Sequence, residues 1–132
     1  MIHLDTHVVL WLYLGASERL PAAVRRVIEA ERLVISPIVE LELQYLHEIG
    51  RAARPGRAMV EDLAGRIGLS TSGVSFAEVV DRAASLHWTR DPFDRLIAAT
   101  ALAENARLLT KDEHLLRHLP LAFWDGQDVA PI

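Results

Sequence analysis

The sequence predicts an α/β domain whose mainly parallel central sheet is covered by helices on both faces. Short, wholly apolar segments alternate with longer segments of helical periodicity, the pattern left by strands buried on both faces and joined by helical crossovers. The 132 residues are 51% hydrophobic and 24% charged, so a single domain over residues 1–132 can bury a core of its own. Turn and capping residues fall between the segments and not within them. The expected architecture is three-layered, α/β/α, with right-handed connections.

Taken in order, Ile2-His3-Leu4 reads as a strand ending at Asp5, and Val8 to Leu14 as a helix stopped at Gly15. Pro21 suits the first position of a second helix, which continues through Val24, Val27 and Ile28. Leu33-Val34-Ile35 is a buried strand. Ser36 and Pro37 supply an N-cap and an N1 proline for a helix running through Leu41, Leu43, Leu46 and Ile49 to Gly50. A basic loop from Arg51 to Gly56 precedes a helix from Ala58 to Ile67, closed by Gly68. Ser75 and Glu78 form a capping-box pair that predicts a helix over 76–86. Asp91-Pro92 starts a largely apolar helix through Ala103, Arg107 to Thr110 is a strand, and Leu121 to Trp124 is a last edge strand.

Composition narrows the chemistry. With no cysteine, disulfides, thiolate metal sites and cysteine nucleophiles are excluded, and any metal must bind through carboxylates, imidazoles, carbonyls or water. No signal-peptide pattern opens the chain and no apolar run approaches the roughly 18 residues of a membrane span, so a cytoplasmic location is expected. The formal net charge of −4 argues against a nucleic-acid partner, since phosphates are usually met by a basic surface. Two features weigh against that objection. Thirteen of the fourteen basic residues are arginine, the side chain best suited to bidentate phosphate contact, and carboxylates gathered around cations do not count at their formal charge. Arg51, Arg54, Arg57 and Arg66 are either a phosphate-binding stretch or a solvated helical face.

In a parallel sheet, ligands bind beyond the carboxyl ends of the strands, and acids fall at those ends. Asp5 follows the first strand directly and Asp112 follows the strand through Thr110; each is a metal-ligand candidate or an N-cap of the next helix. Asp91 and Asp94 open one helix, with Asp91 the better cap and Asp94 the better ligand. Glu40 and Glu42 are two apart on another helix, so only one of them faces a common site. Three or four carboxylates from separate elements make a hard, oxygen-rich site suited to Mg²⁺ or Mn²⁺. Its natural chemistry is phosphodiester hydrolysis by a metal-activated water. Thr6 and Thr110 are candidates to position the phosphate or a metal-bound water, and Arg95 to offset developing charge. His3, His7, His87, His114 and His118 lack the spacing of a histidine zinc site. Trp11, Trp88 and Trp124 are assigned to packing ahead of base stacking.

Four segments together carry a resemblance: Leu4-Asp5-Thr6-His7, then Ile35-Ser36-Pro37 leading to Leu41-Glu42-Leu43, then Arg90 through Ala99, then Leu109-Thr110-Lys111-Asp112. In order and spacing they resemble the PIN-domain nucleases, specifically the VapC toxins of bacterial type II toxin–antitoxin systems. The resemblance implies a PIN-like fold and a Mg²⁺-dependent ribonuclease site made by Asp5, Glu42, Asp94 and Asp112, which selects Glu42 over Glu40. It further implies an RNA substrate, a homodimer, and a VapB-type antitoxin that occupies or crowds the site. The rivals are a phosphotransferase using Asp5 as nucleophile, which usually needs an Asp-x-Asp pair where this chain has His7, and a non-catalytic receiver or binding module.

Overall fold

The computed structural model describes residues 1–125; residues 126–132 of the expected domain span lie outside it. Five strands, β1 (Ile2–Leu4), β2 (Leu33–Ile35), β3 (Ser70–Thr71), β4 (Arg107–Leu109) and β5 (Ala122–Phe123), form one sheet in the order β3-β2-β1-β4-β5. Every neighbouring pair is parallel. β1 and β2 are buried along their whole length, which is why β2 reads as an unbroken apolar run and β1 as one interrupted only by His3.

Seven α-helices flank the sheet: α1 (Thr6–Leu14), α2 (Ala22–Ala30), α3 (Pro37–Glu48), α4 (Gly56–Ile67), α5 (Phe76–Ala83), α6 (Pro92–Ala103) and α7 (Glu113–His118). The chain steps outward from β1 to β2 to β3, then returns across the sheet to β4 and on to β5. With right-handed crossovers, that reversal of direction sends helices to both faces. It also creates a switch point between the carboxyl ends of β1 and β4, where a crevice opens.

Local chemistry sets the element ends. Gly15 closes α1 in the left-handed region at φ 68°, its N–H returning to the carbonyls of Leu12 and Trp11, a conformation that costs a residue with a Cβ. Ser36 caps α3 by accepting from the Ile38 N–H at 3.3 Å, with Pro37 at N1 as expected. Gly56 starts α4 against α3, where a Cβ would collide with the Glu40 carbonyl oxygen; this close approach, and not helix propensity, explains a helix that begins before Ala58.

Further details differ from the sequence reading. β3 is an addition: Ser70 and Thr71 are polar and exposed, so no apolar run marks them, and they form a short edge beside β2. α5 ends at Ala83, before Leu86, because the guanidinium of Arg95 takes up the carbonyls of Ala83 and Ala84 at 3.2 and 3.4 Å at the point where the helix stops. Pro21 is the N-cap of α2, one place before the expected N1. One cluster built from Leu4, Val9, Ile35, Leu43, Leu63, Ile97 and Leu109 runs through both sides of the sheet.

Candidate active site

The crevice at the switch point is a cleft of about 380 Å³ lined by Asp5, Glu42, Asp91, Asp94 and Asp112, with His7, Val8, Trp11 and Lys111 completing its wall. All four expected acids are therefore brought to one place. Asp5 comes from the β1–α1 turn, Glu42 from the second turn of α3, Asp94 from the first turn of α6 and Asp112 from the β4–α7 turn.

Asp5 is the most buried of them, at 8% exposure. Its Oδ1 accepts the Thr6 N–H at 2.8 Å and its Oδ2 accepts the Thr110 hydroxyl at 2.6 Å. Burial pushes the carboxyl above the ordinary aspartate value, opposed by those two hydrogen bonds. Asp5 is also the N-cap of α1, the structural role weighed for it. Glu42 is half-buried and accepts the Thr6 hydroxyl at 2.5 Å. Burial raises its pKa, and the Asp5 charge adds to the rise. Glu40 lies elsewhere on α3 and takes the Arg57 guanidinium at 3.1 Å.

Asp91 takes the N-cap place expected of it, and Asp94 lies in the first turn of α6 on the cleft wall. Asp91 is exposed and caps α6 through the N–H groups of Phe93 and Asp94 at 2.8 and 3.4 Å. Asp94 is half-buried with its pKa pushed up to about 7, first by burial and then by the charges of Asp91, Asp5, Asp112 and Glu42. Asp112 is exposed and caps α7 through the His114 and Leu115 N–H groups at 2.8 and 3.0 Å.

Two supporting assignments need correction. Arg95 does not line the cleft: its guanidinium sits on the α5 carbonyls, because one residue along a helix turns the side chain about 100° from Asp94. Thr6 and Thr110 are buried, and their hydroxyl protons are committed to Glu42 and Asp5. Each hydroxyl thus holds one of the cleft carboxylates. In the other direction, sequence reasoning passed over His7 and Lys111 as members of the cleft wall. The available signal was closeness in sequence, since Lys111 directly precedes Asp112 and His7 lies two residues after Asp5. Trp11 lines the cleft as well as packing edge-on against Trp124, 6.1 Å between ring centres, whereas Trp88 packs on the core and stacks with His118.

A donor set of carboxylate oxygens without sulfur suits a hard divalent cation. Burial, and after it the neighbouring acids, raises the pKa values of Asp5, Glu42 and Asp94. Among the described residues, no three of the acids or imidazoles are close enough to ligate one ion as they stand; like charges in a cleft keep apart.

An α/β domain that collects carboxylates from four elements at the switch point of a parallel sheet belongs to a class of acidic, oxygen-ligand sites. The particular family follows from comparison: the PIN domain model matches residues 2–119, and the chain belongs to the PIN domain family. Ribonuclease VapC22 of Mycobacterium tuberculosis is 35% identical over 129 residues, spanning 92% of this chain and 96% of that protein. VapBC-1 of nontypeable Haemophilus influenzae superposes with a TM-score of 0.66 at 21% identity, covering 95% of this chain and 97% of that one. A toxin–antitoxin complex from Klebsiella pneumoniae gives 0.66 at 17% identity, over 93% and 96%. VapBC2 of Rickettsia felis, bound to a promoter DNA fragment, gives 0.63 at 23% identity, over 95% and 100%. These structural likenesses establish the shared fold. Among the described residues no helix is long and apolar enough to cross a membrane.

Proposed function

We propose that this protein is a divalent-metal-dependent endoribonuclease, the toxin of a type II toxin–antitoxin module, that hydrolyses RNA at the cleft of Asp5, Glu42, Asp94 and Asp112. The observation that carries the reading is the convergence of those four carboxylates at the switch point of a PIN domain. A 35% identical relative named as a ribonuclease supports the reaction class, and three solved relatives that are toxin–antitoxin complexes support a VapB-type antitoxin as partner. A homodimer is part of the same reading.

In this reading Asp5, Glu42, Asp94 and Asp112 hold Mg²⁺ or Mn²⁺. The bound ion supplies Lewis-acid chemistry, activating a water and stabilising charge on the leaving oxygen. The chain's own contribution is orientation. Thr110 and the Thr6 N–H fix the two oxygens of Asp5, and the Thr6 hydroxyl fixes Glu42, so two carboxylates are held in place before any ligand arrives. Asp91 and Asp112 hold the turns that start α6 and α7, which keeps Asp94 and Lys111 at the rim. Asp94 exchanges a proton near neutral pH, the property expected of a carboxyl that is neutral alone and ionised beside a cation.

The test is cleavage of total cellular RNA by the purified protein with Mg²⁺, with Mn²⁺ and with excess chelator. Cleavage appears with either ion and disappears in chelator. Asp5→Asn lowers the rate on the order of 100- to 10,000-fold with equal or higher thermal stability. Undiminished cleavage by Asp5→Asn, or cleavage that survives the chelator, overturns the proposal.

A further inference from the structure

Five carboxylates line the cleft, and RNA brings further negative charge to it. The chain contains one lysine, Lys111, and it is the only lysine or arginine in that wall. The nearest alternatives in sequence are committed elsewhere. Arg90 donates to the His87 carbonyl at 3.1 Å and Arg95 to the Ala83 carbonyl at 3.2 Å, although both flank the Asp91–Asp94 turn. Arg57, Arg66 and Arg82 are paired with Glu40, Asp62 and Glu78. Lys111 is exposed, and among the described residues no carboxylate forms an ion pair with it.

Its base is held on both sides. The Thr110 N–H donates to the Phe123 carbonyl at 3.1 Å and the Thr110 hydroxyl to Asp5 at 2.6 Å. The Asp112 N–H donates to the Thr110 Oγ1 at 3.0 Å, and the Asp112 carboxylate caps α7. A lysine with an anchored backbone, and with no ion-pair partner among the described residues, loses little backbone freedom when it meets an anion. Its charge is a compact point that accepts a phosphate from many directions. Neutralising Lys111 would leave the cleft wall without a fixed positive side chain.

Resting on the ribonuclease reading above, we infer that Lys111 is the substrate-positioning cation of the cleft, its ammonium contacting an RNA phosphate beside the carboxylates. The contact acts on binding, because it is made by the ground-state phosphodiester and the rim is open to solvent, so it is screened by salt.

The test uses the full chain as wild type, Lys111→Gln and Lys111→Arg. Steady-state cleavage of one single-stranded RNA oligonucleotide is followed across a salt series with Mg²⁺. Binding of the same oligonucleotide, labelled with fluorescein, is followed with Ca²⁺ in place of Mg²⁺. Lys111→Gln raises KM and Kd about 5- to 10-fold, holds kcat within about twofold, and flattens the log Kd against log salt slope by about 0.7. Lys111→Arg restores most of the affinity, because the charge is kept. Unchanged KM, Kd and slope in Lys111→Gln overturn the inference, and so does a fall in kcat alone, which would assign Lys111 to the chemical step. Wild-type binding without cleavage in either Mg²⁺ or Mn²⁺ overturns the ribonuclease reading and leaves the binding series to judge Lys111. Absence of RNA binding by the wild type overturns both.

Discussion

The first strand leads into two buried ionisable side chains only two residues apart, His3 and Asp5, and the chain treats them differently. His3, at 1% exposure, has its Nε2 within 2.7 Å of the Glu104 carboxylate, so its partner carries the opposite charge. Asp5 has only neutral donors, the Thr110 hydroxyl and the Thr6 N–H, and its neighbours in the cleft are other acids. The imidazole is given a carboxylate partner within the fold, and the Asp5 carboxyl is left open to the cleft. A buried carboxylate that is oriented but not neutralised costs stability, a cost that the proposed cation would offset. The same strand thus separates packing from chemistry by the kind of partner each group is given.

The contrast is broken most directly at the hydroxyl that orients Asp5. Thr110→Val keeps the shape of the side chain and removes the 2.6 Å hydrogen bond to Asp5 together with the 3.0 Å one from the Asp112 N–H, leaving Asp5 held by the Thr6 N–H alone and its pKa free to rise further. Loss of such a supporting contact lowers metal affinity and cleavage about 10- to 100-fold. Isothermal titration with Mn²⁺ and RNA cleavage rates measure the two effects together. Wild-type affinity and rate in Thr110→Val would mean that Asp5 needs no orientation.

Asp94 sharpens the comparison from the side of stability. Its folded pKa of about 7 lies above the ordinary value of 3.8, so the folded protein holds this proton more tightly than the unfolded chain. The stability this proton confers is complete below 3.8 and is lost as pH rises through 7. Asp94→Asn removes that loss. In chelator at pH 8 it raises unfolding free energy by about 1–2 kcal/mol, a figure reduced for the half-exposed position, and the gain vanishes at pH 4. Urea melts at the two pH values check it. An equal effect at both would mean that cleft repulsion is not the cause.

The legible part of the site was the part written into strand ends. Asp5 and Asp112 stand out because an acid directly after a buried apolar run must leave the core, and in a parallel sheet it leaves at the ligand-binding edge. Glu42 was not legible from periodicity, since Glu40 fits the same helix equally well; the choice depends on the rotation of α3 that sets Glu42 against Thr6 and Glu40 against Arg57. The cleft roles of Lys111 and His7 depend on which residues of a turn project inward, and sequence spacing does not fix turn geometry. β3 escaped for a different reason: a two-residue polar edge strand has too little pattern to register. The all-parallel order of the sheet was readable only as alternation, and the switch point between β1 and β4 needed the strand order itself.

The smallest expected effect tests the partnered imidazole. Burial lowers the His3 pKa below the ordinary 6.5, while the Glu104 hydrogen bond and charge act to raise it. A depressed folded pKa means that the unfolded chain takes up the proton first, so the stability carried by neutral His3 is present above 6.5 and is lost as pH falls below it. Glu104→Gln removes the charge that supports the imidazolium and depresses the pKa further, steepening that loss. The variant is within about 1 kcal/mol of wild type at pH 8 and falls further behind at pH 5, read from melting temperatures at both. RNA cleavage stays at the wild-type rate, because Glu104 lies at the other end of α6 from Asp94. A loss of cleavage in Glu104→Gln would join the two halves of the comparison, making His3 part of the site and not of its scaffold.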